Sequence, residues 1–189
     1  MFILSNQVSF PSVDRANEYG LLALGGNLSM DRLKLAYRSG IFPWYSQGQP
    51  ISWYSPDPRM VLFPDELKIS KSMRQIIRSK RFNVTFNQAF ENVISNCKTI
   101  DRSLQDQEGT WITDEMQQAY IQLHHQGWAK SIEVWENEQL VGGLYGVEVG
   151  SVFCGESMFS KVSNASKMAL IALSENNKNP YDLIDCQIY

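Results

Sequence analysis

Apolar and polar residues alternate along the C-terminal half of the chain, which predicts three antiparallel strands over residues 131–135, 140–148 and 151–159. The pair Val149–Gly150 between the last two strands is typical of a hairpin turn. A further strand is predicted over residues 182–188. These patterns indicate that a β-sheet lies at the centre of the fold.

Apolar residues at helical spacing predict helices over about 30–38, 71–81, 87–97, 113–125 and 164–173. Ser70 and Thr113 are suited to cap the second and the fourth of these helices. Residues 1–20 carry few periodic signals and are expected to form an irregular arm. Helices that flank an antiparallel meander, followed by a helix and a strand, indicate an α+β fold. This element order is similar to the core of acyl-CoA N-acyltransferase-like domains.

Residues 41–64 hold two aromatic pairs, Trp44–Tyr45 and Trp53–Tyr54, and five of the seven prolines of the chain. Prolines exclude a helix here and favour turns and sheet edges. The rings either pack against the rest of the protein or offer flat faces on which nucleic-acid bases stack. Packing is the more common use of such rings, and the sequence pattern leaves both interpretations open.

Positive charge is concentrated in one stretch of an otherwise acidic protein. The net charge is −3, yet six of the seventeen Lys and Arg residues lie between positions 68 and 81, with no acidic residue among them. Four share one face of the predicted helix and two lie beside it: Lys71, Arg74, Arg78 and Arg81, with Lys68 and Lys80. This basic face is either a solvated surface or a local nucleic-acid site, because an acidic molecule has no overall field that attracts nucleic acid.

The composition, with 43% hydrophobic and 20% charged residues, is that of a globular protein. Three widely spaced cysteines and two adjacent histidines form no metal-ligand pattern, so we expect a reduced compartment and no metal site. The N-terminus lacks the features of a signal peptide, and no apolar run approaches the length of a membrane span. A cytoplasmic protein without a membrane partner is expected.

Polar residues near the C-terminus are candidates for chemistry. Glu156 interrupts a mostly apolar strand, where a carboxylate must pair, bind a cation or titrate abnormally. Asp185 and Gln187 lie two apart on the last predicted strand, so both would point to one face of the sheet. All three residues also fit strand ends in water, and the pattern leaves this alternative open.

Nine motifs follow one another along nearly the whole chain. The N-terminal ones are LLALGGNLS (21–29), AYRSGIFPWYS (36–46) and SWYSPDPRMVLFP (52–64). The others are EGTWIT (108–113), KSIEVW (130–135), LVGGLYGV (140–147), FCGESMFS (153–160), NASKMAL (164–170) and LIDCQ (183–187). In composition and order they resemble the bacterial leucyl/phenylalanyl-tRNA–protein transferases, and the length of the motifs makes this resemblance specific.

The resemblance implies an aminoacyltransferase that moves Leu or Phe, and less readily Met, from an aminoacyl-tRNA to the α-amine of a protein. The acceptor protein begins with Lys or Arg, and the product is marked for degradation. A small N-terminal α/β domain over residues 1–64 and an acyltransferase-like domain over 65–189 are implied. No cofactor is implied, because the tRNA ester itself supplies the acyl group, and we expect a monomer.

The resemblance also implies roles for single residues. Asp185 and Gln187 match the catalytic pair of the family, and Glu156 matches a carboxylate that holds an amino group. The residues that match the pocket for the transferred side chain are Leu144, Phe153, Met158, Leu170 and Ile184. The residues that match the tRNA-binding surface are Trp44 and Trp111 near the terminal adenosine, and Lys71, Arg74, Arg78, Lys80 and Arg81 along the acceptor arm.

Members of this family usually continue beyond the DCQ strand, so the chain is expected to be shortened at its C-terminus. A non-enzymatic or decayed tRNA-binding homologue is therefore an alternative function. An acyl-CoA N-acetyltransferase is a weaker alternative, since its pyrophosphate loop has only a partial counterpart over residues 139–144. That stretch lies inside a predicted strand, where no helix N-terminus faces a phosphate.

Overall fold

The N-terminal part of the chain forms the smaller of two sheets in the computed structural model. The structure describes residues 2–99, 111–176 and 180–188. The strands of the smaller sheet are β1 (Phe2–Leu4), β2 (Leu21–Gly25), β3 (Phe42–Pro43) and β4 (Ser52–Tyr54), in the order β1-β2-β4-β3. Helix α1 (Met30–Arg38) connects β2 to β3 and confirms the predicted helix. The irregular arm predicted over residues 1–20 is wrong at its start, because β1 pairs with β2 in parallel. Three residues are too few to give a periodic signal.

The larger sheet contains β5 (Val61–Leu62), β6 (Asn83–Phe86), β7 (Ala129–Glu136), β8 (Gln139–Val149), β9 (Val152–Ser160) and β10 (Leu183–Asp185). Their order is β5-β10-β9-β8-β7-β6. Neighbours from β7 to β9 run antiparallel, which confirms the predicted three-stranded meander, and β6 extends it by pairing antiparallel with β7. Strand β10 lies parallel to β9, so the sheet is mixed and the expectation of an antiparallel core is wrong for this pair of strands. A helix crosses over between these two strands and returns the chain in the same direction.

The other helices are α2 (Lys71–Ser79), α3 (Phe90–Thr99), α4 (Asp114–His125) and α5 (Ala165–Ser174). The predicted caps are confirmed, because the hydroxyls of Ser70 and Thr113 accept the backbone N–H three positions on at 3.2 and 3.1 Å. The helix predicted over 71–81 is too long, since Lys80 has a left-handed φ of 53° that ends α2. Arg81 therefore lies outside the helical face. No helix in the described ranges combines the length and apolar character needed to cross a membrane.

Helices cover both faces of the larger sheet. A Cβ atom at Gly142 of β8 would meet Ala165 of α5, and one at the adjacent Gly143 would meet Val93 of α3. Helices α1, α3 and α4 contribute to one hydrophobic cluster that also contains Trp53 of the smaller sheet, and α5 contributes to a second cluster. The two sheets thus share a core. The division into residues 1–64 and 65–189 stays a prediction, and β5, which precedes that boundary, pairs with β10 in the larger sheet.

Candidate active site

Glu156 occupies an irregular position in β9. Tyr145 of β8 pairs with Ser157, and the next residue, Gly146, pairs with Gly155, so Glu156 is an extra residue in the ladder. Such a β-bulge bends a strand and re-aims a side chain. Only glycine fits at 146, because a Cβ atom there would collide with the backbone of β9. The bulge directs the Glu156 side chain towards α1 and α4.

Three side chains donate hydrogen bonds to the Glu156 carboxylate. The Tyr37 hydroxyl of α1 lies 2.7 Å from Oε1, and the Tyr120 hydroxyl of α4 lies 3.1 Å from Oε2. The Gln187 amide nitrogen Nε2 lies 2.6 Å from Oε1. The two tyrosine hydroxyls also form a hydrogen bond with each other. The carboxylate is therefore held by both helices and by the segment after β10.

The environment of Glu156 shifts its protonation towards neutral pH. Burial raises the pKa of this carboxyl to about 7, and the charge of Asp185 adds to the effect, although the bonds from Tyr37, Tyr120 and Gln187 oppose it. Burial likewise raises the pKa of each tyrosine well above its usual value. When Glu156 is protonated, the three hydroxyl groups close a ring in which each donates once and accepts once. Loss of that proton leaves two phenolic protons for the three oxygen–oxygen contacts, so ionised Glu156 accepts from both tyrosines only when these no longer donate to each other.

Asp185 ends β10 in an ion pair that the sequence did not indicate. Arg59 Nε lies 2.9 Å from Oδ1 and Arg59 Nη2 lies 2.8 Å from Oδ2, so the guanidinium grips both carboxylate oxygens. The backbone N–H of Gln187 donates to Oδ1 at 2.8 Å. Three donors therefore occupy the Asp185 carboxylate, and only 7% of the residue is exposed.

The strand predicted over residues 182–188 is wrong after Asp185. Gln187 has a left-handed φ of 66°, so it does not share a strand face with Asp185 as the spacing predicted. The bond from the Gln187 backbone to the Asp185 side chain forms a tight turn that the period-two pattern cannot show. The turn still brings the two residues to one site, because it carries the Gln187 amide to Glu156.

A cavity of about 240 Å³ lies beside Glu156, between β9, β10 and α5. Its wall contains all five residues that the sequence suggests for the side-chain pocket: Leu144, Phe153, Met158, Leu170 and Ile184. Glu156 contributes a carboxyl group to this mostly apolar wall. The cavity suits an apolar side chain with a polar group at its base.

A second cavity, of about 170 Å³, lies between Trp44 and Trp111. Glu156 and Gln187 line it as well, so the structure brings the two predicted tryptophans to the candidate catalytic residues. Trp44 is 40% exposed, and its ring also contacts the Tyr54 ring edge-on at 5.6 Å between centres. Both cavities share the wall segment formed by Gly155, Glu156 and Cys186, so they lie next to each other.

The predicted basic face forms no part of either cavity wall. Lys71, Arg74 and Arg78 are exposed on α2, and neither cavity includes them in its lining. Arg81 is paired within the protein, because Glu136 of β7 binds its guanidinium through contacts of 2.6 and 3.3 Å, and its role towards tRNA stays a prediction. The three residues on α2 are thus the better candidates for contacts to phosphate.

Family models match the two parts of the chain. The model described as the leucyl/phenylalanyl-tRNA protein transferase N-terminal domain matches residues 26–57, and the model described as leucyl/phenylalanyl-tRNA protein transferase matches residues 61–189. The chain belongs to this family. A relative of this name from Flavobacterium johnsoniae is 60% identical, with 100% of this chain and 89% of the relative covered. One from Pectobacterium carotovorum is 52% identical, with 100% and 80% covered.

Among solved structures, a conserved protein of unknown function from Bacteroides thetaiotaomicron is similar to this transferase-family chain. The identity is 15%, the alignment covers 87% of this chain and 59% of that one, and the TM-score is 0.49. That similarity is too low to support an argument.

Sequence reasoning missed three residues of this transferase-family site. Tyr37 and Tyr120 fall on the apolar stripes of α1 and α4, where a tyrosine resembles a core residue. Arg59 lies within the proline-rich segment, far in sequence from the Asp185 that it binds. The polar group of a tyrosine on an apolar stripe is a usable signal, since a buried hydroxyl requires a partner.

Proposed function

We propose that this protein transfers Leu or Phe, and less readily Met, from an aminoacyl-tRNA to the N-terminal α-amine of proteins that begin with Lys or Arg. Membership of the family supports the reaction. The observation that carries the assignment to this site is the meeting of two cavities at Gly155, Glu156 and Cys186, one cavity apolar and the other bordered by tryptophans.

In this proposal the aminoacyl end of the tRNA bridges the two cavities. The Leu or Phe side chain enters the apolar cavity, and the terminal adenosine lies against Trp44 and Trp111. Stacking of a base on an aromatic side chain contributes roughly 1–3 kcal/mol. The α-amino group of the aminoacyl residue then lies at the shared wall, where the Glu156 carboxylate can hold it. The exposed cations of α2 bind phosphates along the acceptor arm.

The reaction is the aminolysis of an ester. The acceptor amine forms a bond to the carbonyl carbon, the bond to the ribose oxygen breaks, and one proton passes from the amine to that oxygen. The amine must be neutral when it attacks, and a free α-amine with a pKa of about 8 meets this need at neutral pH for a useful fraction of molecules. Because the ester is already activated, holding the two reactants together supplies much of the rate.

The polar residues differ in what they can contribute. Glu156 titrates near neutrality and faces the shared wall, so it is suited to hold an ammonium group and to exchange a proton with it. The oxygens of Asp185 are occupied by Arg59 and by the Gln187 backbone, so Asp185 acts by orienting Gln187. The Gln187 amide lies where it can bind the reacting ester or the incoming amine.

The protein would act in the cytoplasm as a monomer, and its products would enter protein degradation. Single-turnover transfer of labelled Phe from tRNA to a peptide that begins with Arg tests the proposal. We expect transfer to this peptide and none to a matched peptide that begins with Asp. A folded protein that binds charged tRNA but transfers no Phe would refute the enzymatic function and leave a tRNA-binding role.

A further inference from the structure

Arg59 joins the end of β10 to the smaller sheet. Besides its two bonds to Asp185, its Nη1 donates to the carbonyl oxygen of Gly40 at 2.6 Å. Its guanidinium also lies over the Phe42 ring, 5.0 Å from the ring centre. Phe42 belongs to β3, and two positions later the same segment carries Trp44 of the second cavity. One side chain therefore connects the tryptophan side of the site to the catalytic segment.

Asp185 passes this constraint on to Gln187. The Asp185 oxygen that accepts from Arg59 Nε also accepts from the Gln187 backbone N–H. That bond stabilises the left-handed backbone at Gln187, a conformation that non-glycine residues seldom adopt. The same backbone conformation places the Gln187 amide against Glu156. The contacts thus form a chain from Arg59 through Asp185 and Gln187 to Glu156.

We propose that Arg59 is a positioning residue for the transfer reaction, which fixes Asp185 so that the Gln187 amide is held at Glu156. The inference rests on the proposed function, but its geometry does not. Arginine suits this role because its planar fork binds two carboxylate oxygens while a further N–H reaches the Gly40 carbonyl. Lysine carries the same charge but cannot make the same set of contacts.

The first experiment measures Glu156 without any substrate. Nuclear magnetic resonance of the glutamate carboxyl carbons gives its titration midpoint in the parent, in Gln187→Ala and in Arg59→Lys. The Gln187 bond lowers the pKa of Glu156, so Gln187→Ala should raise the midpoint. Arg59→Lys retains the charge and should reproduce most of that rise. The double variant should add nothing further, because both changes remove the same bond.

Other groups close to Glu156 also influence its titration midpoint. The groups that face it are Tyr37 of α1, Tyr120 of α4 and the Asp185 charge. Arg59→Lys substitutes none of them, and comparison of the double variant with Gln187→Ala shows whether a shift of Asp185 contributes. An unchanged midpoint in Arg59→Lys, beside a raised one in Gln187→Ala, would overturn the proposal. This measurement is independent of catalysis, so it decides the role of Arg59 even if the transfer reaction is absent.

The second experiment measures single-turnover transfer. Arg59→Lys and Arg59→Gln should each lower the rate about 10²-fold, with the affinity for charged tRNA unchanged within about twofold, since positioning affects the reaction step more than binding. Arg15→Gln is a matched control, because Arg15 also lies over a phenylalanine of the smaller sheet, Phe2, at 4.9 Å. We expect the control to keep the parent rate.

A double variant separates action through Asp185 from a general structural effect. Arg59→Gln leaves the buried Asp185 without its counter-ion, whereas Arg59→Gln with Asp185→Asn removes both charges. If Arg59 acts through Asp185, the double variant should transfer Phe as fast as Asp185→Asn alone, within about threefold. Losses that multiply would overturn the proposal. Thermal unfolding of each variant verifies that the rates belong to folded protein.

Discussion

The raised pKa of Glu156 predicts that this residue makes the free energy of unfolding depend on pH. A glutamate in an unfolded chain has a pKa near 4.5, whereas burial raises that of Glu156 to about 7 in the folded protein. Between these values the folded state binds more protons than the unfolded state. The free energy of unfolding therefore falls as the pH rises from about 4.5 to about 7.

The size of this effect follows from the two pKa values. Each pKa unit of difference is worth about 1.4 kcal/mol, so Glu156 lowers the stability by about 3 kcal/mol once the pH is well above 7. The variant Glu156→Gln keeps the shape of the side chain but does not ionise. Its free energy of unfolding, relative to that of the parent, should rise by about 3 kcal/mol between pH 4.5 and pH 8.

Urea unfolding at several pH values measures this difference, and thermal melts provide a second measurement. For a domain of this size about 3 kcal/mol corresponds to roughly 6–12 °C in Tm. Glu18→Gln is the matched control, because Glu18 is exposed and the substitution is the same. Parallel pH curves for the parent and Glu156→Gln would refute the reasoning, whatever constant offset the substitution itself introduces.

Three further predictions concern other parts of the molecule. Replacement of both Arg74 and Arg78 with Ala should reduce the slope of log Kd for tRNA against log salt by about 0.9 per lost phosphate contact. Arg81→Ala should leave the slope unchanged, because Arg81 is paired with Glu136. Leu170→Trp should narrow the apolar cavity and reduce kcat/KM for Phe more than for Leu, by roughly 1–3 kcal/mol; equal losses for both would indicate unfolding instead. Glu133→Gln should lower the free energy of unfolding by roughly 1–3 kcal/mol, because the fully buried Glu133 accepts bonds within the larger sheet and at the start of α3. The transfer rate per folded molecule should not change; calorimetry measures the stability and the transfer assay measures the rate.

Helix α4 shows how far local patterns could predict the fold. Its cap, Thr113, and its apolar stripe are encoded within one short stretch, and the structure confirms both. The meander from β7 to β9 was predictable for the same reason, since period two is a local property. The pairing of β10 with β9 was not, because the direction of a strand after a helical crossover depends on how that helix packs.

The site was predictable only where a residue type is unusual in its surroundings. Glu156 in an apolar strand is such a case. The resemblance to a family added the cavity wall and the catalytic role of Asp185 and Gln187, which their spacing alone left open. The bulge that turns Glu156 could not be predicted, because one extra residue disturbs the alternation no more than a strand end does. The partner of Asp185 could not be predicted either, since Arg59 reaches it across 126 positions of sequence.

The core that the two sheets share has a mechanical consequence. Trp53 of the smaller sheet and Val93 of α3 belong to one cluster, so the sheets cannot swing apart without exposing apolar surface to water. A hinge needs a boundary that few contacts cross. In this molecule the two sheets pack on a shared core instead, so the cavity bordered by the tryptophans does not lie at such a boundary. This cavity then works as a fixed template. Selection among amino acids would occur as the aminoacyl group enters the cavity, without a closing motion of the two sheets. Heating should unfold both sheets in one transition.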